Sequence, residues 1–182
     1  IKCLVKLKFK ILAICSSRKK STNLSYLSKK YKIKNSFDNY IDCEKFLGTN
    51  NKDFAFFLGP RIKVTENILL KCLKYKKKVF IEKPITKDLN FIKKIKNYNN
   101  NIFVGYNRIF YQNIAYIKKN ICDKKNLFIE VSCPENNKYD ISTNSCHIIS
   151  ILFYLFGKIE IINIQRNVNY ILIIAKIKLK GL

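Results

Sequence analysis

Three short stretches of the sequence carry residue types that act in proton transfer. Glu82-Lys83-Pro84 and Asn107-Arg108 each follow a brief apolar run, and His147, the only histidine, begins another. A lysine can stabilise a developing alkoxide, and an imidazole exchanges a proton near neutral pH. Lys83 and His147 are therefore candidates for chemistry at a substrate oxygen; on residue type and position alone, a surface lysine and a structural histidine are open alternatives.

Lys83 is expected at the carboxyl end of a β-strand. Lys78 to Ile81 has the pattern of a short buried strand, and Pro84 has no N–H for a sheet ladder. The proline also biases Lys83 away from helical dihedral angles, so the chain must leave the sheet there. Open α/β sheets bind ligands at this edge. A helix over 87–98 follows, with Thr86 as its predicted N-cap and Leu89, Ile92 and Ile95 facing inward.

These stretches together resemble the glucose–fructose oxidoreductase / inositol dehydrogenase (Gfo/Idh/MocA) family. Members carry Glu-Lys-Pro after a strand late in the dinucleotide fold, and Gly105-Tyr106-Asn107-Arg108-Ile109-Phe110 is similar to their Gly-Tyr-Asn-Arg-Arg-Phe. His147 begins an apolar helix that ends in Leu-Phe-Gly, as in the family. Thr143 and Ser150 stand where many members have aspartate, so the histidine lacks its usual orienting carboxylate.

The resemblance implies an NAD(P)-dependent oxidoreductase that acts on a secondary alcohol or ketone of a sugar or sugar nucleotide. It implies no metal. The site residues that it implies, besides the catalytic pair, are Ser16, Ser17, Arg18, Glu82, Lys83 and Pro84 for the cofactor and Asn107, Arg108 and Asn144 for the substrate. Two alternatives stay open: a catalytically inactive remnant with a structural or interaction role and, third, a nucleic-acid-binding module.

The turn after the first predicted strand bears on the choice of cofactor. Phe9 to Cys15 is predicted as that strand, and Ser16-Ser17-Arg18-Lys19-Lys20 follows it. A carboxylate at this place would accept the ribose 2′-OH of NAD, whereas an arginine suits the 2′-phosphate of NADP. The turn has three cations and no carboxylate, so we expect a preference for NADP.

The sequence contains no Gly-x-Gly-x-x-Gly among its five glycines. In dinucleotide folds that turn and the following helix N-terminus hold the pyrophosphate. We therefore expect a chain that is truncated at both ends, since the resemblance begins at the second strand of the family fold. We also expect this chain to bind dinucleotides weakly.

The predicted fold class is α/β. Strands alternate with helices of about ten residues, which implies right-handed βαβ units and a mostly parallel sheet. Residues 1–108 are predicted as a partial Rossmann domain lacking its first βα unit, with the apolar run Phe54 to Leu58 as a parallel strand covered on both faces. Residues 109–182 are predicted as the start of an α+β substrate domain. Its flat, mostly antiparallel sheet would use strands at 127–133, 159–166 and 170–180, with one helix from Asn144 to Phe156.

The composition argues against several classes of partner. The net charge is +24, but only Arg18, Arg61, Arg108 and Arg166 among the 36 basic residues are arginine. Arginine is the residue favoured for reading bases and phosphates, so we expect no nucleic-acid partner. No stretch reaches the about 18 apolar residues that span a bilayer. Seven cysteines without metal spacing indicate buried, reduced thiols and a cytoplasmic protein. A homo-oligomer through the C-terminal sheet is a further expectation.

Overall fold

The structure of the chain is a computed structural model, which describes residues 1–16, 18–50, 52–59, 62–121, 128–135, 144–167 and 170–177. It divides into two compact units, Ile1–Ala55 and Phe56–Leu182. The predicted division into domains at residues 108 and 109 is a different one and stays a prediction. Among the described residues, no helix is both long and apolar enough to cross a membrane.

The first unit contains a two-stranded parallel sheet and three helices. In chain order the elements are α1 (Lys2–Lys6), β1 (Ile14–Cys15), α2 (Thr22–Lys30), β2 (Ser36–Phe37) and α3 (Tyr40–Gly48). Strand β1 pairs with β2, so that Cys15 lies opposite Phe37. Ser21 caps α2 by accepting the N–H of Leu24, and Asn39 caps α3 by accepting that of Asp42. Polar caps of this kind satisfy helix N–H groups that have no partner within the helix.

The strand predicted from Phe9 to Cys15 is wrong over most of its length. Only Ile14 and Cys15 pair with β2, and the residues before the predicted strand form the helix α1. An extended segment becomes a strand only when a neighbour supplies a ladder. Here the Leu12 carbonyl accepts instead from the Asn35 side-chain amide at 3.0 Å. The β-branched composition therefore did not decide the structure.

The second unit contains a parallel three-stranded sheet followed by helices and an antiparallel pair. Its elements are β3 (Phe56–Leu58), α4 (Ile62–Leu73), β4 (Val79–Ile81), α5 (Leu89–Ile95), a 3-10 helix (Lys96–Asn101), β5 (Ile102–Val104), a second 3-10 helix (Asn107–Phe110), α6 (Gln112–Ile121), α7 (Ser145–Phe156), β6 (Ile159–Arg166) and β7 (Ile171–Ile177). The parallel order is β3-β4-β5, and β6 pairs antiparallel with β7. The predicted α/β class, with parallel strands first and antiparallel strands later, is confirmed.

One face of the parallel sheet is buried and the other is not. Val79 and Ile81 of β4 are buried, as are Leu69, Cys72 and Leu73 of α4. Side chains alternate along a strand, so Phe57, Phe80 and Phe103 lie on the opposite face, where they form a stacked row with ring centroids 4.7 and 4.9 Å apart. These three rings, the phenylalanine row, are 38–46% exposed. The prediction that the sheet is covered on both faces is therefore wrong.

Three further predictions about local structure are wrong. Helix α5 begins later than expected, with Asp88 as its N-cap, and the Thr86 hydroxyl instead bonds the carboxylate of Glu66. Leu89 and Ile92 are exposed, because the large apolar side chains of Phe91 and Ile95 define the inward face. Residues 128–133, predicted as most of a strand, have no ladder partner among the described residues and do not form a strand. Residue 127 lies outside the described residues.

Candidate active site

Strands β4 and β5 end side by side, and this brings two of the chemical stretches together. The N–H of Glu82 donates to the Leu58 carbonyl at 3.0 Å, and that of Gly105 donates to the Ile81 carbonyl at 2.8 Å. A Cβ on Gly105 would lie 3.4 Å from that same Ile81 oxygen, at ordinary van der Waals distance. Glu82-Lys83-Pro84 and Tyr106 therefore leave one edge of one sheet.

His147 lies in the first turn of α7 and is buried, with 6% of its surface exposed. The ring of Tyr106 meets it edge-on at 6.3 Å. The Nδ1 atom of His147 is buried and has no hydrogen-bond partner among the described residues. Ser150 does not supply one, because its hydroxyl donates to the His147 carbonyl at 2.7 Å. Thr143, which stands where many members of the family have aspartate, lies outside the described residues.

The electrostatics of His147 connect it to both predicted cations. Burial is the main cause that lowers the pKa of His147 below its usual value, and the positive charges of Lys83 and Arg108 lower it further. The Glu82 carboxylate acts in the opposite direction. The imidazole is therefore neutral at pH 7 and able to accept a proton. Lys83 and Arg108 are thus the two cations whose charge acts on the imidazole.

Three residues at this site were given no role in the sequence analysis: Tyr106, Cys146 and Glu135. Burial is the main cause that raises the pKa values of the Tyr106 hydroxyl and the Cys146 thiol, so both stay protonated at pH 7. The Glu135 carboxylate accepts the backbone N–H groups of Asn144 and Ser145 at the start of α7. Nothing in the local sequence pairs Glu135 with a helix that begins ten residues later, so only the tertiary structure reveals it.

An open cleft of about 710 Å³ adjoins the predicted catalytic residues. Pro84, which follows Lys83, and Cys146, which precedes His147, both lie in its wall. The lining is mainly apolar and consists of Pro84, Thr86, Tyr106, Ile109, Cys146, Ile149, Ser150, Phe153 and Tyr154. A concave, mostly apolar cleft with a few polar groups at its margin is typical of a small-molecule site.

The predicted substrate residues differ in their positions. Arg108 is half-buried and acts on the pKa of His147, whereas Asn107 is exposed. Asn144 is engaged within the protein, since its side-chain amide donates to the Pro134 carbonyl at 3.2 Å. Their roles in substrate binding stay predictions.

The predicted ribose-binding turn belongs to the first unit, at the carboxyl end of β1. The Ser16 hydroxyl accepts the Arg18 N–H at 3.1 Å, which fixes a tight turn, and the Arg18 side chain is exposed. Ser17 lies outside the described residues.

The residues present fit one end of a nicotinamide dinucleotide. A neutral, buried imidazole beside two cations at the carboxyl edge of a parallel sheet suits a substrate hydroxyl held next to a nicotinamide ring. No group of His, Cys, Asp and Glu within the described ranges is arranged to hold a metal ion.

Solved structures of dehydrogenases share the fold of this chain. WlbA from Thermus thermophilus, in complex with NAD and UDP-GlcNAcA, matches with a TM-score of 0.68 and 12% identity over 90% of this chain and 60% of its own. The myo-inositol dehydrogenase from Lactobacillus casei, in complex with NAD(H) and myo-inositol, matches with a TM-score of 0.68 and 19% identity over 93% of this chain and 57% of its own.

A third structure, a probable dehydrogenase from Thermotoga maritima, matches with a TM-score of 0.54 and 22% identity over 64% of this chain and 35% of its own. The chain thus spans between 35% and 60% of the length of these three proteins. No family model and no curated protein sequence matches it. The structural matches nevertheless agree with the resemblance drawn from the three short motifs: the chain has the fold of the Gfo/Idh/MocA dehydrogenases.

Proposed function

We propose that this chain carries the catalytic end of an NAD(P)-dependent oxidoreductase, with a secondary alcohol or ketone of a sugar or sugar nucleotide as substrate. The observation that carries the proposal is the neutral, buried imidazole of His147 with Lys83 and Arg108 close enough to lower its pKa. The dinucleotides and the sugar-like ligands bound in the structural neighbours support this class of cofactor and substrate.

His147 acts as the base that takes the proton from the substrate hydroxyl, and Lys83 stabilises the negative charge that develops on that oxygen. The bound nicotinamide supplies a hydride acceptor for the carbon. Arg108 holds the substrate and favours the neutral form of His147. In the reverse direction the imidazolium returns the proton to the ketone oxygen, and the two neighbouring cations make that donation easier.

We also propose that the chain prefers NADP to NAD. It rests on the turn that Ser16 and Arg18 form, where an exposed guanidinium offers a planar donor to a 2′-phosphate. Two of the structural neighbours named above contain NAD or NAD(H), so the preference has no support outside this turn.

The test supplies a βα unit with a glycine turn, by fusion from a structural neighbour, and measures oxidation of UDP-GlcNAcA and myo-inositol. We expect activity that falls by about 10²- to 10⁴-fold in H147N and in K83M, because each removes a group acting on the reacting oxygen. Asn107→Ala serves as a control for a milder, binding-only effect. A fusion that binds cofactor but shows activity equal to that of H147N would overturn the catalytic proposal.

The same fusion tests the cofactor preference. Arg18→Ala should lower the ratio of NADP affinity to NAD affinity, and Arg18→Lys should lower it less, because the charge is kept but the planar fork is lost. A ratio unchanged in Arg18→Ala would withdraw the preference.

A catalytically inactive protein with a structural role is the second candidate, and the unpaired Nδ1 of His147 favours it. Catalytic histidines are usually oriented by a hydrogen bond at the second nitrogen, and here none of the described residues provides it. Ser150→Asp introduces a carboxylate three residues after the histidine. Activity that appears in the fusion only with this substitution would favour a protein that has lost its orienting group. Absence of a nucleic-acid partner also stays a prediction.

The proposed homo-oligomer uses the antiparallel pair β6–β7. This pair exposes Ile161, Ile164 and Ile173 among other apolar side chains, and exposed apolar patches mark interaction surfaces. Ile164→Lys should shift the chain to a smaller species in analytical ultracentrifugation, and an unchanged mass would count against this interface.

A further inference from the structure

A carboxylate on helix α4 is bonded to the segment that carries Lys83. Glu66 accepts a hydrogen bond from the hydroxyl of Thr86, which lies 20 residues later in the chain. The Thr86 oxygen in turn accepts the N–H of Asp88, the N-cap of α5, at 2.9 Å. Thr86 therefore uses its hydroxyl both as a donor and as an acceptor, and it joins α4 to the start of α5.

Helix α4 is a firm attachment for this bond. Glu66 precedes Leu69 by three residues and Leu73 by seven, so the three side chains lie along one face of the helix. Leu69 and Leu73 are fully buried, and α4 packs against β4. Glu66 itself is half-buried. The carboxylate is therefore held by a helix whose neighbouring turns belong to the core of the second unit.

The bond closes a short segment that contains Lys83. At the other end of this segment, the N–H of Glu82 donates to the Leu58 carbonyl at 3.0 Å, so the chain still follows the sheet there. Only residues 83–85 lie between the two attachments, and the ring of Pro84 fixes its own φ. The backbone that carries Lys83 thus has little freedom, which limits where the lysine side chain can lie.

The same segment forms part of the cleft wall. Pro84 and Thr86 both line the cleft of about 710 Å³, whereas Glu66 does not. The carboxylate accepts from a hydroxyl, although the chain has 36 basic residues. A hydrogen bond to a charged acceptor is stronger than one between neutral groups. Any effect of Glu66 on the site must therefore pass through Thr86.

We propose that Glu66 is a positioning residue for Lys83: by holding Thr86, it fixes residues 83–86 at the wall of the cleft and keeps the lysine directed at the substrate oxygen. The inference rests on the proposed function for the identity of that oxygen, whereas the attachment can be measured without any activity. Loss of the bond would free the segment and let the lysine take other positions.

The first measurement uses the full chain and needs no substrate. The charge of Lys83 lowers the pKa of His147, so a proton NMR titration of this single histidine reports how the lysine is held. Glu66→Ala and Thr86→Val each remove the bond, and both should raise the pKa of His147, by less than Lys83→Met does. Loss of the Glu66 charge by itself would act in the opposite direction, because a nearby anion raises the pKa of an imidazole.

Matched variants separate positioning from a general loss of structure. Thr86→Ser keeps the hydroxyl, and Asn67→Ala changes an exposed neighbour of Glu66 on the same helix, so both should leave the pKa of His147 near that of the wild type. In the Lys83→Met background, Glu66→Ala should cause no further rise, since the cation that it holds is absent. A rise of equal size in that background, or an unchanged or lowered pKa in Thr86→Val, would overturn the proposal.

The second measurement uses the fusion that supplies the glycine turn. Glu66→Ala should lower kcat by about 10- to 100-fold, as a small displacement of a group near the reacting atoms does, with a smaller change in KM. Glu66→Gln keeps an acceptor for the hydroxyl and should recover most of that loss. An unchanged kcat in Glu66→Ala would overturn the proposal. If the fusion were inactive in every form, the proposed function would fail, and the pKa of His147 in Thr86→Val would alone decide the role of Glu66.

Discussion

The ring of Tyr106 meets the ring of His147 edge-on, with the centroids 6.3 Å apart and the planes at 89°. Because the tyrosine helps to exclude water from the imidazole, Tyr106→Leu should raise the pKa of His147 toward its usual value of about 6.5. Tyr106→Phe keeps the ring and should change the pKa little. The chain has a single histidine, so one imidazole signal in a proton NMR titration reports the value directly.

The charged residues around His147 shift its pKa in opposite directions. Lys83→Met and Arg108→Met each remove a cation that lowers the pKa of His147, so both should raise it. Glu82→Gln removes the anion that opposes them and should lower it. The same NMR titration measures all three variants. If Lys83→Met left the pKa unchanged, the lysine would lie too far from the imidazole for the two to share one substrate oxygen.

The lowered pKa of His147 also links stability to pH. The unfolded chain takes up a proton at this residue near pH 6.5, whereas the folded chain does so only at lower pH. The unfolded state therefore binds more protons in that window, and stability is lost as the pH falls from about 6.5 toward the folded-state pKa. Urea unfolding of the wild type and H147N at several pH values checks this. Equal pH slopes over that window would contradict the lowered pKa.

Glu135 stabilises the start of helix α7 through two backbone N–H groups. Glu135→Ala should lower the free energy of unfolding by about 1–2 kcal/mol, as loss of a helix cap does. Glu135→Gln keeps an acceptor and loses the interaction of the charge with the helix end, so about 0.5 kcal/mol is expected. Denaturant unfolding measures both. A larger loss in the glutamine variant would mean that the charge, and not the pair of hydrogen bonds, dominates.

The chain by itself should bind nicotinamide dinucleotides weakly, with a Kd of about 1 mM or above, equivalent to about 4 kcal/mol. It has no glycine-rich turn to offer backbone donors to the pyrophosphate. Calorimetric titration with NAD and NADP tests the expectation. Micromolar binding would show that another segment supplies the phosphate site.

The sequence predicted best where local chemistry leaves few alternatives. Pro84 follows the end of β4 beside Lys83, and the helix predicted from Asn144 to Phe156 is α7, Ser145–Phe156. It failed where the outcome depends on a distant partner. Phe9 to Cys15 has strand composition, but β2 offers a ladder to two residues only.

The candidate site shows the same contrast between what local sequence predicts and what depends on distant residues. Lys83 and His147 follow from motifs, whereas their environment does not. The edge-on contact of Tyr106 and the carboxylate of Glu135 at the helix start are both long-range contacts. The lack of a partner for the His147 Nδ1 atom among the described residues is likewise visible only in the tertiary structure. A side chain that acts from ten residues away leaves no periodic signal in the sequence, so only coordinates reveal it.

The exposed phenylalanine row suggests what the high positive charge of the chain does: it opposes the association of copies of the chain. Its three adjacent rings form an exposed apolar patch, and such patches on two copies of the chain would attract each other at short range. A net charge of +24 opposes that attraction by repulsion at longer range. Salt shortens the reach of the repulsion from about 10 Å at 0.1 M to about 3 Å at 1 M and leaves the apolar attraction in place. We therefore expect the lysines to keep the copies apart in dilute salt and this protection to weaken as ionic strength rises.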